Sequence, residues 1–366
     1  MKFIISRDVL LPCLQTVNGV IERRHTLPVL SNLLMSVGKS QVKLTGTDME
    51  VELIVTFPFE CDQEAEFTLP ARKMLDICRA LPDASILDVT TDKDRVTLKS
   101  NKSRFTLATL PAKEFPLTEI SSFQATLTIS QGELKNLLED TMFAMAQQDV
   151  RYYLNGLLLE VNANTLRAVA TDGHRLALKE VKRDTGINEQ KQVIIPRKGV
   201  IEISRLLGSS DKPAEIMIGT NHIRVNIDGL QFTSKLIDGK FPDYERVIPK
   251  DTGTPLYANK EALRLSLTRA SILSNEKYRG VRIQLKPNSL KALTHNPDQE
   301  EAEEELEVKY SGEEMEIGFN VTYLLDAINA IKTEQIIMTA ASPDSSCLLT
   351  PEDQEDCKYV VMPMRL

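Results

Sequence analysis

Tryptophan is absent from this chain and aromatic residues make up only 5% of it; four histidines and five cysteines are scattered along 366 positions. Each scarcity excludes something. The cysteines (Cys13, Cys61, Cys78, Cys347, Cys357) are odd in number and form no CxxC pair, so neither a disulfide framework nor a zinc ribbon is expected and a reducing compartment fits. The histidines (His25, His174, His222, His295) have no second His or carboxylate at metal-ligand spacing. No P-loop, GxGxxG, GxSxG or HExxH occurs, and no cofactor or metal is expected. No apolar run approaches the roughly 18 residues of a membrane span. The stretch from Met1 to Leu14 has neither the apolar core nor the small-residue cleavage site of a signal peptide. The expectation is a cytoplasmic protein without a membrane partner.

What remains is ordinary globular composition, 42% apolar and 26% charged. At roughly 150 residues per domain the length gives two to three domains, with enough core to stand without disulfides or structural metal. Acidic residues outnumber basic ones by 52 to 44, a net charge of −8. That balance argues against wholesale coating of nucleic acid, though not against a local basic surface.

A repeat organises the chain. Ile5-Ser6-Arg7-Asp8-Val9-Leu10 matches Ile129-Ser130-Gln131-Gly132-Glu133-Leu134, and more weakly Ala258-Asn259-Lys260-Glu261-Ala262-Leu263. Each places a capping residue (Ser6, Ser130, Asn259) before an amphipathic helix, where its side chain can accept from an orphan N–H of the first turn. Ser130 and Glu133 have capping-box spacing. A strand-like run follows each helix, at Leu33–Val37, Leu157–Val161 and Val281–Leu285, and then a turn at Thr47-Asp48, Thr171-Asp172 and His295-Asn296. A second helix opens each later half, after Pro70, after Pro196 and from Asn320 to Ile331; a proline costs little in a first helical turn. Short alternating strands come next, such as Ile86–Thr91, Arg95–Ser100, Glu215–Ile218 and Ile223–Ile227. The expected class is α+β, with three tandem units of roughly 120 residues: 1–122, 123–250 and 251–366. Connectors run from Phe115-Pro116 to Phe123 and from Phe241-Pro242 to Pro255. The polar stretch from Ser342 to Cys357 reads as a loop.

Charge is uneven on these helices. Arg72, Lys73 and Arg79 share one helix with a single acid, Asp76; Arg197, Lys198 and Arg205 share another with Glu202; Lys260, Arg264 and Arg269 lie on the fifth; Arg23 and Arg24 follow the first. In the first of these, Met74, Leu75, Cys78 and Leu81 form the opposite, apolar face. For any single base a solvated surface is the plain reading, but the recurrence points to a phosphate-facing surface that binds without reading bases. The lack of aromatics among these bases argues against a stacking platform for single strands. Six glutamates (Glu300, Glu301, Glu303, Glu304, Glu305, Glu307) fall within one short run. Such a run is usually solvated or disordered; here it could also meet Lys99, Lys102 and Arg104 of another copy, head to tail, and such a contact makes a ring if it closes.

Gln148-Asp149-Val150-Arg151-Tyr152-Tyr153-Leu154-Asn155-Gly156, Ala170-Thr171-Asp172-Gly173-His174-Arg175-Leu176, Ile272-Leu273-Ser274-Asn275-Glu276-Lys277 and Val360-Val361-Met362-Pro363-Met364-Arg365-Leu366 carry a specific resemblance. Over its whole length the chain resembles the bacterial sliding clamps, the beta subunits of replicative DNA polymerases. The resemblance implies three clamp domains, each a β-sheet with two helices, and a head-to-tail homodimer closing into a six-domain ring, helices inside and sheets outside. Duplex DNA would pass through, and an acidic outside would discourage binding on the wrong face. It implies a pocket for short linear peptides of the polymerase, the clamp loader and repair enzymes. Its walls would include Leu154, Thr171, Gly173, His174, Arg175 and Leu176, then Pro242, Arg246 and Val247, then Val360, Met362, Pro363, Met364 and Arg365. Methionine adapts to varied side chains, which suits a site with many partners. It implies dimer contacts through Phe105 and Leu107 on one side and Ile272 and Leu273 on the other, with Glu300, Glu301, Glu303 and Glu304 opposite bases such as Lys73, Lys102 and Arg104. DNA contacts would come from Arg24, Arg72, Lys73, Arg79, Gln148, Arg197 and Lys198, with Arg246 a further candidate. The last helix carries only Lys332 as a base, so no strong DNA role is expected of it. The function implied is that of a processivity factor and not of an enzyme. The competing reading is a metal-dependent nuclease built on Asp48, Asp172 and nearby glutamates.

Overall fold

A computed structural model describes residues 1–22, 27–119, 122–250 and 253–365. One pattern of elements occurs three times. The first pass is β1 (Lys2–Ser6), α1 (Arg7–Val17), β2 (Asn32–Val37), β3 (Gln41–Thr47), β4 (Val51–Pro58), β5 (Ala65–Pro70), α2 (Ala71–Ala80), β6 (Ile86–Asp92), β7 (Arg95–Ser100) and β8 (Ser103–Ala108). The second is β9 (Phe123–Ser130), α3 (Gln131–Glu139), β10 (Gly156–Val161), β11 (Thr165–Thr171), β12 (Arg175–Lys182), β13 (Lys191–Pro196), α4 (Arg197–Leu206), β14 (Pro213–Gly219), β15 (His222–Ile227) and β16 (Leu230–Lys235). The third is β17 (Leu256–Asn259), α5 (Lys260–Ser271), β18 (Gly280–Lys286), β19 (Ser289–His295), β20 (Glu301–Glu307), β21 (Met315–Asn320), α6 (Val321–Ala330), β22 (Gln335–Thr339), β23 (Cys347–Pro351) and β24 (Cys357–Val361).

The helix starts follow from local chemistry. Ser6 accepts from the Asp8 amide at 3.3 Å and Asn259 from the Ala262 amide at 3.0 Å. The capping box at α3 closes in both directions: the Glu133 amide donates to Ser130 Oγ at 3.2 Å, and the Ser130 amide donates to Glu133 Oε2 at 3.3 Å. The apolar stripes are buried. On α2, Met74, Leu75 and Cys78 lie inside while Arg72, Lys73 and Arg79 stay exposed. On α5, Leu263, Leu267 and Ala270 are buried. A fully buried aliphatic side chain of this kind contributes about 1.5–3 kcal/mol.

Two expectations fail. The glutamate run is not disordered: Glu301–Glu307 is strand β20, its side chains alternating between exposed and half-buried. The stretch from Ser342 to Cys357 is not one loop, since it contains β23 with Cys347, Leu349 and Pro351 buried, and it ends on the first residue of β24.

The sheets join the repeats. The described chain forms two compact units, Met1–Lys135 with Ile201–Leu236, and Asn136–Val200 with Ile237–Leu366. The first unit holds an eight-stranded sheet ordered β5-β2-β3-β4-β16-β15-β14-β9 and a four-stranded sheet ordered β1-β6-β7-β8. The second holds an eight-stranded sheet ordered β13-β10-β11-β12-β24-β23-β22-β17 and a four-stranded sheet ordered β20-β19-β18-β21. Each large sheet is therefore composite: β4 pairs antiparallel with β16 of the next repeat, and β12 with β24. The units cut across the sequence repeats because these cross-repeat ladders tie strands of different repeats into one sheet. In the first unit α1 packs on α2, and in the second α5 packs on α6.

Among the described residues no helix is long and apolar enough to cross a membrane. Ser130→Ala removes the acceptor of the Glu133 amide. That amide is expected to lose protection in hydrogen exchange by about 1 kcal/mol, a typical cost of losing an N-cap, with the first turn of α3 fraying and the sheets unaffected.

Candidate functional site

The Thr171–Leu176 segment is a turn held by its own side chains. Thr171 Oγ1 donates to the Arg175 carbonyl at 2.6 Å and accepts from the Gly173 amide at 3.1 Å. Asp172 Oδ1 accepts from the amides of His174 and Arg175 at 2.9 and 3.1 Å. Thr47 and Asp48 make the same bonds in the first repeat, to Val51, Met49 and Glu50. The third residue of the turn has positive φ in both copies, 75° at Met49 and 89° at Gly173. At Gly173 a Cβ would also stand 3.0 Å from the Arg151 guanidinium, so glycine spares the turn a strained φ, which Met49 shows to be tolerable, and a tight contact.

This turn delivers Arg175 to the start of β12. Its Nε donates to Asp172 Oδ2 at 3.0 Å, Nη1 to Asp326 Oδ2 at 2.5 Å and Nη2 to the Phe143 carbonyl at 2.8 Å. Its guanidinium carbon lies 4.5 Å from the Tyr323 ring centroid and 5.4 Å from that of Phe143. His174 stacks on the other partner of this group, with ring centroids 6.4 Å apart from Tyr323. A planar, always-charged fork suits such a hub, and lysine would not replace it.

The terminal segment closes the site. Arg175 stands opposite Val361 and Leu176 opposite Val360. Beyond the strand, the Met362 amide donates to the His174 carbonyl at 2.9 Å and the Met364 amide to the Gly318 carbonyl at 2.8 Å. Met362, Pro363 and Met364 are half-buried and Arg365 is exposed. From the connector, Val247 packs on a core cluster that includes Leu176, Leu178, Tyr244 and Val360, while Pro242 and Arg246 are exposed. The structure thus brings Leu176, Val247 and Val360 into one cluster and sets Met362 beside His174. Leu154, Leu176 and Val360 are 2% exposed or less, whereas His174, Val247, Met362, Pro363 and Met364 are accessible. Asp326, Phe143, Gly318 and Tyr323 also build this place. The sequence reading missed them because their partners are distant in sequence and no local pattern marks them.

A second surface is the loop before β10. Asp149 binds Arg151 through Oδ1 and Oδ2, at 3.1 and 2.9 Å, and also accepts the Arg151 amide. Asn155 grips both the Asp149 amide and its carbonyl. The loop so braced projects Gln148, at φ 57°, and Val150, which is 94% exposed.

The basic helices sort themselves. Arg72, Lys73 and Arg79 project from α2, with Arg72 3.3 Å from Asp76. On α4, Arg197 and Lys198 are half-buried, and Arg197 donates to the Met145 carbonyl at 3.3 Å. Arg205 pairs with Glu202 at 2.6 Å, and its guanidinium fills the space a Cβ on Gly19 would take. On α5 the expected phosphate-facing bases are engaged within the chain instead: Arg264 with Glu261, Arg269 with Glu304, and Lys260 with the Ile331 carbonyl. Lys332 bridges Asn136 and Asp140. Arg24 lies outside the described residues, as does its neighbour Arg23.

Two of the sheet edges carry the expected dimer residues. Edge strand β8 carries Arg104, half-buried Phe105 and buried Leu107. Edge strand β20 carries the glutamates, of which Glu303 and Glu305 hold Lys291 at 2.7 and 3.4 Å; Glu300, just before it, accepts from Asn296. Ile272, after α5, is 73% exposed and Leu273 half-buried. The two carboxylates of the nuclease reading are each engaged in their own turns, Asp48 through the Glu50 and Val51 amides and Asp172 through His174 and Arg175. Among the described residues no group of three or more His, Cys, Asp or Glu could hold a metal ion.

The chain matches family models of the DNA polymerase III beta subunit: its N-terminal domain over residues 1–119, its central domain over 128–243 and its C-terminal domain over 245–365. Over the full length of both chains it is 51% identical to the beta sliding clamp of Pseudomonas putida and 47% identical to that of Escherichia coli. A crystal structure of the sliding clamp of Pseudomonas aeruginosa bound to griselimycin superposes with a TM-score of 0.97 at 50% identity, and the Caulobacter crescentus beta subunit with 0.95 at 37%, each covering all of both chains.

The Asp149–Arg151 pair gives a pH prediction. Hydrogen bonds from Arg151 hold the Asp149 carboxyl at about 2, against an ordinary 3.8. A depressed folded-state value means the pair's contribution is present above about pH 4 and lost as pH falls toward 2. An NMR carboxyl titration is expected to find Asp149 well below the ordinary range, and Arg151→Ala to return it there.

Proposed function

The chain belongs to the DNA polymerase III beta subunit family, the beta sliding clamps, and from that premise we propose that two copies close head to tail into a ring around duplex DNA. The observation that carries this is the edge arithmetic of the sheets. In each repeat the fourth strand (β4, β12, β20) and the last strand (β16, β24, β8) play fixed parts: β4 takes β16, and β12 takes β24. By the same rule β20 should take β8, yet within one chain both are edges. An exposed strand edge is a template for pairing with another chain. The third junction is therefore made between copies, β20 of one with β8 of the other, and twice in a dimer it leaves neither of these two strands unpaired. Charge agrees: acids on β20 face a strand bearing Arg104, flanked by Lys102 and Lys99. Phe105, Leu107, Ile272 and Leu273 supply the apolar part, with Glu300, Glu301, Glu303 and Glu304 at the rim.

Arg72, Lys73, Arg79, Gln148, Arg197 and Lys198 would contact phosphates. Such contacts are weak, non-specific and salt-sensitive, which lets a closed ring slide without leaving. The face formed by His174, Val247, Met362, Pro363 and Met364 would take short peptide segments of the replicative polymerase, the clamp loader and repair enzymes, in the cytoplasm, and would also be the seat of griselimycin in this protein. Tethering raises the polymerase's effective concentration at the primer end, and that is the source of processivity. Catalysis has no part in this mechanism.

Ile272→Ala with Leu273→Ala is expected to turn dimers into monomers in sedimentation at nanomolar protein; a persisting dimer would sink the interface. Electron microscopy of the wild type should show closed rings of two chains. Deleting residues 362–366 is expected to weaken griselimycin binding by more than about a hundredfold, as loss of a central anchor does, with the dimer intact.

A further inference from the structure

The face of the sheet beneath the connector is laid out in three rows, two residues apart along the strands. The first row is polar and crosses four strands: Gln192 opposite Glu160, Glu160 opposite Arg167, Arg167 opposite Glu180. The second is apolar: Ile194, Leu158, Val169 and Leu178. The third contains Thr171, Leu176 and Val360, the floor of the peptide face. The connector lies across all of them. Phe241 and the Tyr244 ring sit in the apolar cluster, and Val247 and Ile248 pack against it.

Two connector residues reach back to the polar row: Glu245, exposed, lies 3.6 Å from Arg167 Nη1, and Tyr244 reaches it from the buried side. Arg167 Nη1 donates to its hydroxyl at 2.7 Å, and the hydroxyl donates to Glu160 Oε1 at 3.2 Å. Arg167 is itself fixed, by Glu180 at 2.6 and 2.9 Å and by Glu160 at 3.2 Å, while Gln192 holds the other Glu160 oxygen at 2.5 Å. Glu160 is 4% exposed and Tyr244 5%. Burial raises the Tyr244 hydroxyl above its ordinary value, so it stays protonated and keeps its donor role. Arg167 and Glu180 are half-buried and Gln192 is exposed, so the buried part of the network is the Glu160–Tyr244 pair, where a paired polar contact favours one geometry. The Val247 amide then bonds to the Tyr244 carbonyl at 3.0 Å, so the ring's position sets that of the wall residue three places on.

We propose that Glu160, Arg167 and Tyr244 are positioning residues for partner binding: a polar lock two rows away from the peptide face that fixes where Pro242, Arg246 and Val247 stand. The idea rests on the peptide-face reading above. The apolar cluster would hold the connector down without this lock, since oily contacts tolerate sliding. The hydrogen bonds set its register along the sheet. None of the three locking side chains is assigned to the peptide face, so they alter affinity only through the wall.

The test uses the full-length dimer, griselimycin as probe, and NMR of the Val247 methyls without ligand. Tyr244→Phe keeps the ring and deletes the hydroxyl. Expected are shifted Val247 methyl signals and griselimycin binding weaker by about three- to thirtyfold, the range of coupling through a packed network. Glu160→Gln, which keeps one acceptor oxygen, should fall between wild type and Tyr244→Phe, and it serves as the probe variant if Tyr244→Phe does not fold. Ile283→Val, a buried truncation in another sheet, controls for loss of stability and should leave affinity unchanged. Unchanged affinity in both lock variants overturns the proposal, as does an equal loss in Ile283→Val. If wild type fails to bind griselimycin, the peptide-face reading falls separately; the lock then stands or falls on whether the Val247 signals move in Tyr244→Phe.

Discussion

Every repeat of this chain ends on strands that its own residues cannot satisfy. A β-strand edge presents a row of backbone donors and acceptors, and leaving them open invites pairing with whatever comes. The chain meets this constraint by handing each repeat's fourth strand to the last strand of the next, β4 to β16 and β12 to β24. The compact units, the placement of the terminal segment beside His174 and the open edges at β8 and β20 all follow from that exchange. The terminal segment is instructive. Strand β24 belongs to the last repeat, but its partner β12 belongs to the one before, so Met362 bonds to the turn of another repeat. A surface assembled from remote parts of the chain is the direct product of this cross-repeat pairing.

What the sequence made legible was local. Helix starts could be read because Ser6, Ser130 and Asn259 act on amides two or three residues away. The apolar faces could be read because Met74, Leu75 and Cys78 sit at helical spacing. The glutamate run misled because glutamate is a poor strand former. Its structure depends on what the sequence does not display: a neighbour, β19, supplying Lys291, and a helix, α5, supplying Arg269. The segment after Ser342 misled in the same way. Its tip is polar, but Cys347, Leu349 and Pro351 alternate inward only once β22 and β24 are alongside. Arg175 shows the limit most clearly. Position and charge were visible, whereas Asp326, Phe143 and Tyr323 become its partners only through the fold.

The same dependence on neighbours decides which bases could serve DNA. Counting lysines and arginines per helix put α5 beside α2. In three dimensions Arg264 and Arg269 are held by Glu261 and Glu304, and Arg72 lies 3.3 Å from Asp76, whereas Lys73 and Arg79 project outward from a helix whose other face is core. A base already neutralised by a carboxylate must give up that partner to bind a phosphate, and the exchange gains little in water. A helix with one acid among three bases keeps most of its field. For a chain whose net charge is −8, the proposed mode of binding would rest on repulsion over most of the surface and attraction at a few helices. Because these contacts carry charge and no base-edge readout, their strength varies little from one step along the duplex to the next. In the proposed ring, holding on would be the task of topology and sliding the consequence of weak contacts, so the sheet edges would matter more to retention than any single arginine.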